Sequence, residues 1–515
     1  MTAFPSYPGT ASACAASVIG VEGHLTHADA TTADGPPGLR ITGLPDATVR
    51  ETRDRVYAAV LNSGQAWPAR AITVTLRPAS LPRHGTGFDL AIAIAVLTAA
   101  GTVPAAALDG CVFIAELGLD GGLRPVRGVL PALLAARRAG CTRAVVAAEN
   151  AAEAVMAAGL AVVPCPSLRT VLAWLRGQPF PHQPDISAAG TLAAGAGAPA
   201  AIGVAGLAVS PCVRQALEVS AAGGHHFCLT GPHGSRIPAL AASVAALMPP
   251  LGPDRVMEVT AIHSAAGLLG SGHALITRPP FRAPHHTATR AAILGGGTGT
   301  IRPGEAALAH RGVLFLHDAP EFSRDILTSL RQPLQHGEVT VARAGSTVRL
   351  PAKFTLIAST APCPCGCRAD CSCSALQARR YRARLAGELG SYIAIFLDIT
   401  PPGPGTTGGG PTHDDADATS AARVAAARDR ARHRLRDTPW RVNGDIPAPQ
   451  LCRSYPPTAE ALAPVSRAVD LGEISGRAAH QVIRVAWTLA DLTGTARPGP
   501  DECGQALAFQ LGVAQ

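Results

Sequence analysis

Between a β-rich run, Phe227–Thr230, and a run of helical spacing, Ala239–Leu247, the chain carries Gly231-Pro232-His233-Gly234-Ser235-Arg236-Ile237-Pro238. Strand, glycine loop and helix in that order are how a doubly wound parallel sheet offers amide groups to phosphate. A working loop of this kind reads G-x-x-x-x-G-K-[ST], with the lysine on the β- and γ-phosphates and the hydroxyl on Mg²⁺. Here Arg236, Ile237 and Pro238 stand where the second glycine, the lysine and the Ser/Thr belong. Ile237 brings no charge. Pro238 brings neither hydroxyl nor backbone N–H. The chain's one lysine, Lys353, is elsewhere. Gly231, Gly234, Ser235 and Arg236 remain as candidate phosphate contacts. The plain alternative is a tight turn entering a helix, with Pro238 in a first turn that tolerates proline.

Strand and helix signals alternate on both sides of this loop, which predicts an α/β multidomain chain. Before it, Leu39–Thr42, Ala71–Leu76, Cys111–Leu117 and Arg143–Ala147 read as strands. The stretches 47–63 and 88–99 read as helices, the second one buried. After the loop come strands at 312–316 and 354–359, a helix at 322–332 and a hairpin around Gly337 and Gly345. Helical patterns fill 421–435, 458–468, 476–492 and 500–511. Two Pro/Gly/Ala-rich stretches without periodicity interrupt this order. The resulting division is 1–177, a linker at 178–205, a core at 206–400, a flexible linker at 401–420 and a helical tail at 421–515. With 515 residues, length permits about three domains. The net charge of +8 allows a polyanionic partner without requiring one. The longest apolar run, near 90–107, is broken by Thr98, Gly101, Thr102 and Pro104, so no membrane span is expected. The first residues lack the basic and apolar parts of a signal peptide, which gives a cytoplasmic expectation.

Five of 13 cysteines crowd into 363–373. In a reducing compartment such crowding suggests metal before disulfides. Cys363, Cys365, Cys371 and Cys373 supply four thiols, enough to close a tetrahedral Zn²⁺ site. The alternative is a set of reduced thiols in a turn. His285 and His286 with Arg278, Arg282 and Arg290 form a basic stretch that is either a nucleic-acid contact or a solvated loop.

Several long segments together resemble the Mg-chelatase-like AAA+ proteins of the ComM/YifB type. They include GLPDATVRETRDRVYAAVLNSG (43–64), AELGLDGGLRPVRGVLP (115–131) and AAGGHHFCLTGPHG (221–234). RPPFRAPHHTATRAAILGGG (278–297), RPGEAALAHRGVLFLHDAPEF (302–322), PCPCG (362–366) and IRVAWTLADLTG (483–494) continue the match in order. The resemblance implies a Lon-protease-like N-terminal α/β domain, an AAA+ P-loop-type parallel-sheet core and a C-terminal helical domain. It also implies ring-forming (hexameric) ATPases that use ATP and Mg²⁺ and, in the ComM branch, act on DNA in branch migration.

This sequence departs from the family pattern at its ATP-handling positions, with only a sensor-like arginine kept. The family's LFLDE is here Leu314-Phe315-Leu316-His317-Asp318, so His317 replaces the Mg²⁺-supporting aspartate and Asp318 the water-polarising glutamate. Ala361 stands for the sensor asparagine and Tyr392 for the arginine finger. The resemblance leaves Asp318 and a sensor-like Arg484 as residual catalytic positions. His317 with Asp318 could form a metal pair; the expected role of His317 is to fill the end of a buried strand. The N-terminal module has no lysine, which excludes a Ser–Lys protease dyad. The expectation is a DNA-associated pseudo-ATPase in a homo-oligomeric ring, or in a hetero-ring beside an active paralogue. The alternatives are a functioning branch-migration helicase and a non-enzymatic structural protein with a zinc-type cysteine site.

Overall fold

The computed structural model describes residues 9–79, 81, 85–178, 210–232, 234–269, 275–297, 300–343, 346–367, 371–399 and 413–513. Its first unit is built on a seven-stranded sheet. In spatial order the strands are Gly38–Thr42, Ala71–Arg77, Glu22–Ala33, Thr10–Ile19, Cys111–Ile114, Arg143–Ala147 and Ala161–Cys165. Glu22–Ala33 runs antiparallel to both of its neighbours, and the other pairs are parallel. The expected strands and helices of this unit all form, within a few residues of their predicted ends. The long hairpin Thr10–Ile19/Glu22–Ala33 was not legible, because TASACAASVI shows little β-branched alternation. Gly20, at φ 65°, turns the chain between these two strands. Every residue of the helix Asp89–Ala99 is buried, as its apolar run requires.

The second unit is a five-stranded parallel sheet in the order Phe281–Arg282, Val313–Leu316, Thr355–Thr360, Phe227–Thr230, Ile395–Asp398. Val313–Leu316 and Thr355–Thr360 are buried along their whole length, as expected for strands covered on both faces. Because all five are parallel, Thr230, Leu316 and Thr360 end at one edge of the sheet. The loop Gly231–Pro238, the pair His317–Asp318 and the cysteines therefore share that carboxyl edge, while Gly224–His226 lie at the amino edge.

The tail is fused to this core. Val424, Leu489, Ala506 and Phe509 belong to one apolar cluster with Leu217, Phe227, Leu229 and Ile237. A buried polar chain pins the junction. Arg434 donates from Nη1 to Asp491 Oδ1 at 2.6 Å and from Nη2 to Oδ2 at 2.7 Å. Asn443 Nδ2 donates to Asp491 Oδ2 at 2.8 Å and to Thr488 Oγ1 at 3.0 Å. Thr488 Oγ1 in turn meets His225 Nε2 at 2.7 Å. The Arg434 guanidinium also covers the Trp487 ring, 4.3 Å from its centroid. The first unit is joined through the helix Pro253–Ala266, whose Ala261 packs with Val129, Leu130 and Leu133.

The stretch 401–420 departs from its reading as linker. A helix, His413–Arg434, starts inside it, and residues 400–412 lie outside the described residues. Of the expected linker 178–205, all but Gln178 lies outside the described residues. Among the described residues no helix is long and apolar enough to cross a membrane.

Candidate functional site

At the carboxyl edge the glycine loop is closed on itself. Gly231 N–H donates to Thr360 O at 3.1 Å, which ties the loop to the neighbouring strand. Ser235 Oγ donates to Pro232 O at 2.6 Å and Ser235 N–H donates to the same carbonyl at 3.2 Å. Arg236 N–H donates to Gly234 O at 3.0 Å. The amides of Gly231, Ser235 and Arg236, which a phosphate loop could turn toward a ligand, are thus engaged by protein carbonyls. The helix starts at Ile237 with Pro238 in its first turn and Arg236 as its exposed N-terminal neighbour. Ile237, in the lysine position, is 6% exposed and belongs to the core with Leu229 and Leu240. Its Cδ1 lies 3.1 Å from where a Cβ on Gly231 would sit. The isoleucine fills the underside of the loop.

The second strand tip carries His317 and Asp318. The strand Val313–Leu316 ends before His317, whose side chain is 47% exposed. His317 does not fill the end of the buried strand, contrary to expectation. The chain turns out of the sheet at that point, and the imidazole lies edge-on to Phe315 at 5.6 Å. Its Nδ1 sits 2.8 Å from Asp318 Oδ2. Asp318 adopts the left-handed conformation, φ 51° and ψ 54°, which Asp tolerates better than most residues. Its N–H donates to Ser359 Oγ at 2.9 Å. Ala361, at the sensor position, is buried and offers no polar side chain. The groups gathered here do not fit a Mg²⁺–nucleotide: no lysine, no hydroxyl after it, and a carboxylate already engaged by an imidazole.

Tyr392 and Arg484 are brought together, but at the other edge of the sheet. Both line a cleft of about 520 Å³ that also includes Gly224, His225, His226, Arg477 and His480. Four residues of strand separate Gly224–His226 from the loop, a span of roughly 13 Å. Arg484 therefore does not serve its own loop. It donates from Nε to Ile446 O at 2.8 Å and from Nη1 to Gln481 Oε1 at 3.2 Å. The Tyr392 hydroxyl accepts from Gln335 Nε2 at 2.5 Å, and Arg477 stands over its ring at 5.6 Å. Burial holds His225 down at about 3, helped by the Arg484 charge, and holds His226 down at about 4 against the opposing charge of Asp445, so both are neutral.

Following directly on the strand Thr355–Thr360, the four cysteines converge. The Sγ atoms of Cys363, Cys365, Cys371 and Cys373 all lie within 4.8 Å of one another. Cys363 is 3.1 Å from Cys365 and 3.3 Å from Cys371, and Cys365 is 3.6 Å from Cys371. A zinc ion with Zn–S bonds of about 2.3 Å requires sulfurs about 3.8 Å apart, so small side-chain shifts suffice. A hydrogen bond from Cys363 lowers the Cys365 thiol to about 6. None of the cysteines is in a disulfide. Cys367 stands outside the quartet, its Sγ 3.5 Å from Cys365 O.

The basic stretch is less available than its sequence implies. Arg282 sits in an edge strand and is held by Glu305, Nε to Oε2 at 2.6 Å and Nη2 to Oε1 at 2.8 Å. Arg278 and Arg290 are exposed, Arg290 only loosely paired with the exposed Asp325 at 3.7 Å, and His285 stacks on His286 with centroids 4.1 Å apart.

Comparison with known proteins decides the family. The description "Magnesium chelatase, subunit ChlI" matches residues 206–405, "Subunit ChlI of Mg-chelatase" matches 28–150, and the ChlI C-terminal description matches 415–510. The chain belongs to the Mg-chelatase-like AAA+ family. Within this family it is 41% identical to an uncharacterised Mycobacterium tuberculosis protein over 499 residues, 96% of this chain and 97% of the other. It is 35% identical to the uncharacterised protein YifB of Salmonella typhimurium over 89% of this chain and 88% of that one. It is 32% identical to the competence protein ComM of Haemophilus influenzae over 96% of both. The three family matches fall on the α/β unit, the parallel-sheet core and the helical tail in turn, so a ComM/YifB-like AAA+ architecture is present while its ATP loop is filled.

Proposed function

We propose that this protein is a DNA-associated, ComM/YifB-like pseudo-ATPase, with ATP binding and hydrolysis lost or weak, working in recombination or in the processing of incoming DNA. The observation that carries the reading is Ile237, buried beneath Gly231 where a phosphate-seeking lysine would have to emerge. Phosphoryl transfer is almost wholly positioning and charge stabilisation, so a site without lysine, metal carboxylate and arginine finger has little left to act with. The relatedness to a competence protein supports association with DNA. Arg278 and Arg290 are the exposed cations of the basic stretch that suit phosphate contact.

The protein would work in a ring, with copies of itself or with an active paralogue, as the resemblance to its family implies. Tyr392 and Arg484 lie at the edge opposite their own loop, a placement that supports a role toward a neighbouring subunit. Cys363, Cys365, Cys371 and Cys373 would hold one Zn²⁺ as thiolates, and such a closed four-sulfur site supplies structure rather than catalysis. Reduced thiols suit the cytoplasm.

The test is calorimetric titration of the purified full chain with ATP and Mg²⁺, a steady-state ATPase assay, and DNA binding as a function of salt. The expected result is little or no heat, no turnover, and DNA affinity that falls steeply with salt. ATP turnover at rates typical of motor ATPases would overturn it.

A further inference from the structure

A second cleft, of about 310 Å³, opens on the amino edge of the central sheet, between the core and the tail. It is lined by Arg255, Arg311, Lys353, Arg428 and Arg441, against a single lining carboxylate, Asp445. Lys353 Nζ takes that carboxylate at 2.8 Å, and Arg311 is taken by Glu258 at 3.2 Å. Among the described residues no carboxylate lies within ion-pair distance of the guanidinium groups of Arg255, Arg428 or Arg441, although Asp445 Oδ2 accepts the Arg441 backbone N–H at 3.4 Å. Arg428 is fixed in place: its Nε and Nη2 donate to Ala221 O at 2.9 and 2.6 Å. Arg441 Nη1 donates to Thr438 O at 2.6 Å and Trp440 O at 2.9 Å. The Trp440 side chain forms part of the wall.

Asp445, which Lys353 already takes, and the more distant Glu258 offset only part of the charge of the three guanidinium groups gathered here, which repel one another, and desolvating them is costly unless an anion completes the site. That cost is visible in Arg428, pushed down to about 10 by burial and by the charges of Arg255 and Arg432. Planar guanidinium forks held at fixed angles match phosphate oxygens, more so than a flexible ammonium would. The cleft volume is at the small end of ligand pockets, suited to a few linked phosphate groups rather than to a duplex.

We propose that this amino-edge cleft is a phosphate-binding site, which takes oligophosphate or phosphodiester groups on Arg255, Arg428 and Arg441. The site is separated from the filled glycine loop by the length of the strand Phe227–Thr230 and does not rest on how that loop is read. A free oligophosphate and the backbone of a single DNA strand present the same chemistry.

The probes are pyrophosphate and a short single-stranded oligonucleotide, titrated into the full chain at low salt. The double variant Arg255→Gln/Arg441→Gln removes two forks that hold no buried ion pair, so folding is expected to survive, as an unchanged melting temperature would show. Pyrophosphate is expected to bind the native chain and to bind the double variant at least tenfold more weakly. If the oligonucleotide displaces pyrophosphate, the DNA backbone is the ligand; if it does not, a free oligophosphate is, and either outcome sustains the site. Absence of pyrophosphate binding, or equal binding by the folded double variant, overturns it. So does a loss seen in Arg236→Gln and not in the double variant, since the ligand would then sit at the glycine loop.

Discussion

Ile237 reaches under Gly231, its Cδ1 3.1 Å from the point a Cβ there would occupy, and so plugs the loop from below. In this packing the missing lysine is not a vacancy that a single substitution repairs. Ile237→Lys would push an ammonium group into a core position shared with Leu229 and Leu240. A loss of about 2 kcal/mol or more in stability is expected, with no ATPase activity gained. Thermal unfolding and a phosphate-release assay check both halves. Recovered turnover in this single variant would refute the account of the loop.

Cys371→Ser tests the sulfur quartet. The native chain, purified without chelator, is expected to carry close to one zinc per chain by elemental analysis, and the variant much less. Metal removal should loosen the segment after Thr360, detectable as faster proteolysis there. Equal zinc content in both proteins would dissociate the quartet from any metal.

Asp491 is 2% exposed and takes both arms of Arg434 plus the amide of Asn443. Its removal strands a largely buried guanidinium between tail and core. Asp491→Ala should cost about 3–5 kcal/mol in denaturant unfolding. Asp120→Ala, which breaks the exposed pair with Arg124, should cost under about 1 kcal/mol. Similar losses in the two variants would contradict the assignment.

Asp89 gives a pH signature. Burial pushes its carboxyl up to about 6, despite the opposing hydrogen bond and charge of Arg55. The unfolded chain releases this proton near pH 4, so between about pH 4 and 6 the folded state binds more protons than the unfolded one. Stability contributed at this site is present below that window and falls as pH rises through it, by up to roughly 3 kcal/mol. The stability of the native chain relative to Asp89→Asn should therefore decline from pH 4 to 6 and level off above. A difference that is flat across this range would be evidence against the shift.

Arg278→Ala/Arg290→Ala should weaken single-strand DNA binding and lower its salt slope by about 1.4, roughly 0.7 for each phosphate no longer neutralised. Arg282→Ala should leave the slope unchanged, since Glu305 already holds that guanidinium. Fluorescence anisotropy at several salt concentrations distinguishes these outcomes.

The sequence alone determined the local elements and the chemistry that could not be there. Strand–loop–helix at 227–247, the apolar helix after Phe88 and four of the tail's helices follow from periodicity and turn residues over short stretches of chain, while the short helix Ala448–Ser454 does not. Ile237 and Pro238 announce a loop without lysine or hydroxyl wherever they are placed. The hairpin Thr10–Ile19/Glu22–Ala33 was hidden because its alanine-rich strands are specified by their neighbours and not by their own alternation. Tertiary structure alone decided which groups meet. Parallel strands brought His317, Ala361 and the cysteines to the edge that carries the loop, and sent Arg484 and Tyr392 to the opposite one. It also decided that Arg282 is spent on Glu305, while Arg255, Arg428 and Arg441, 173 and 13 residues apart in sequence, share one cleft. Periodicity reports which face of an element is buried; it carries no record of which distant side chains will share a cavity, because long-range packing of whole faces sets that.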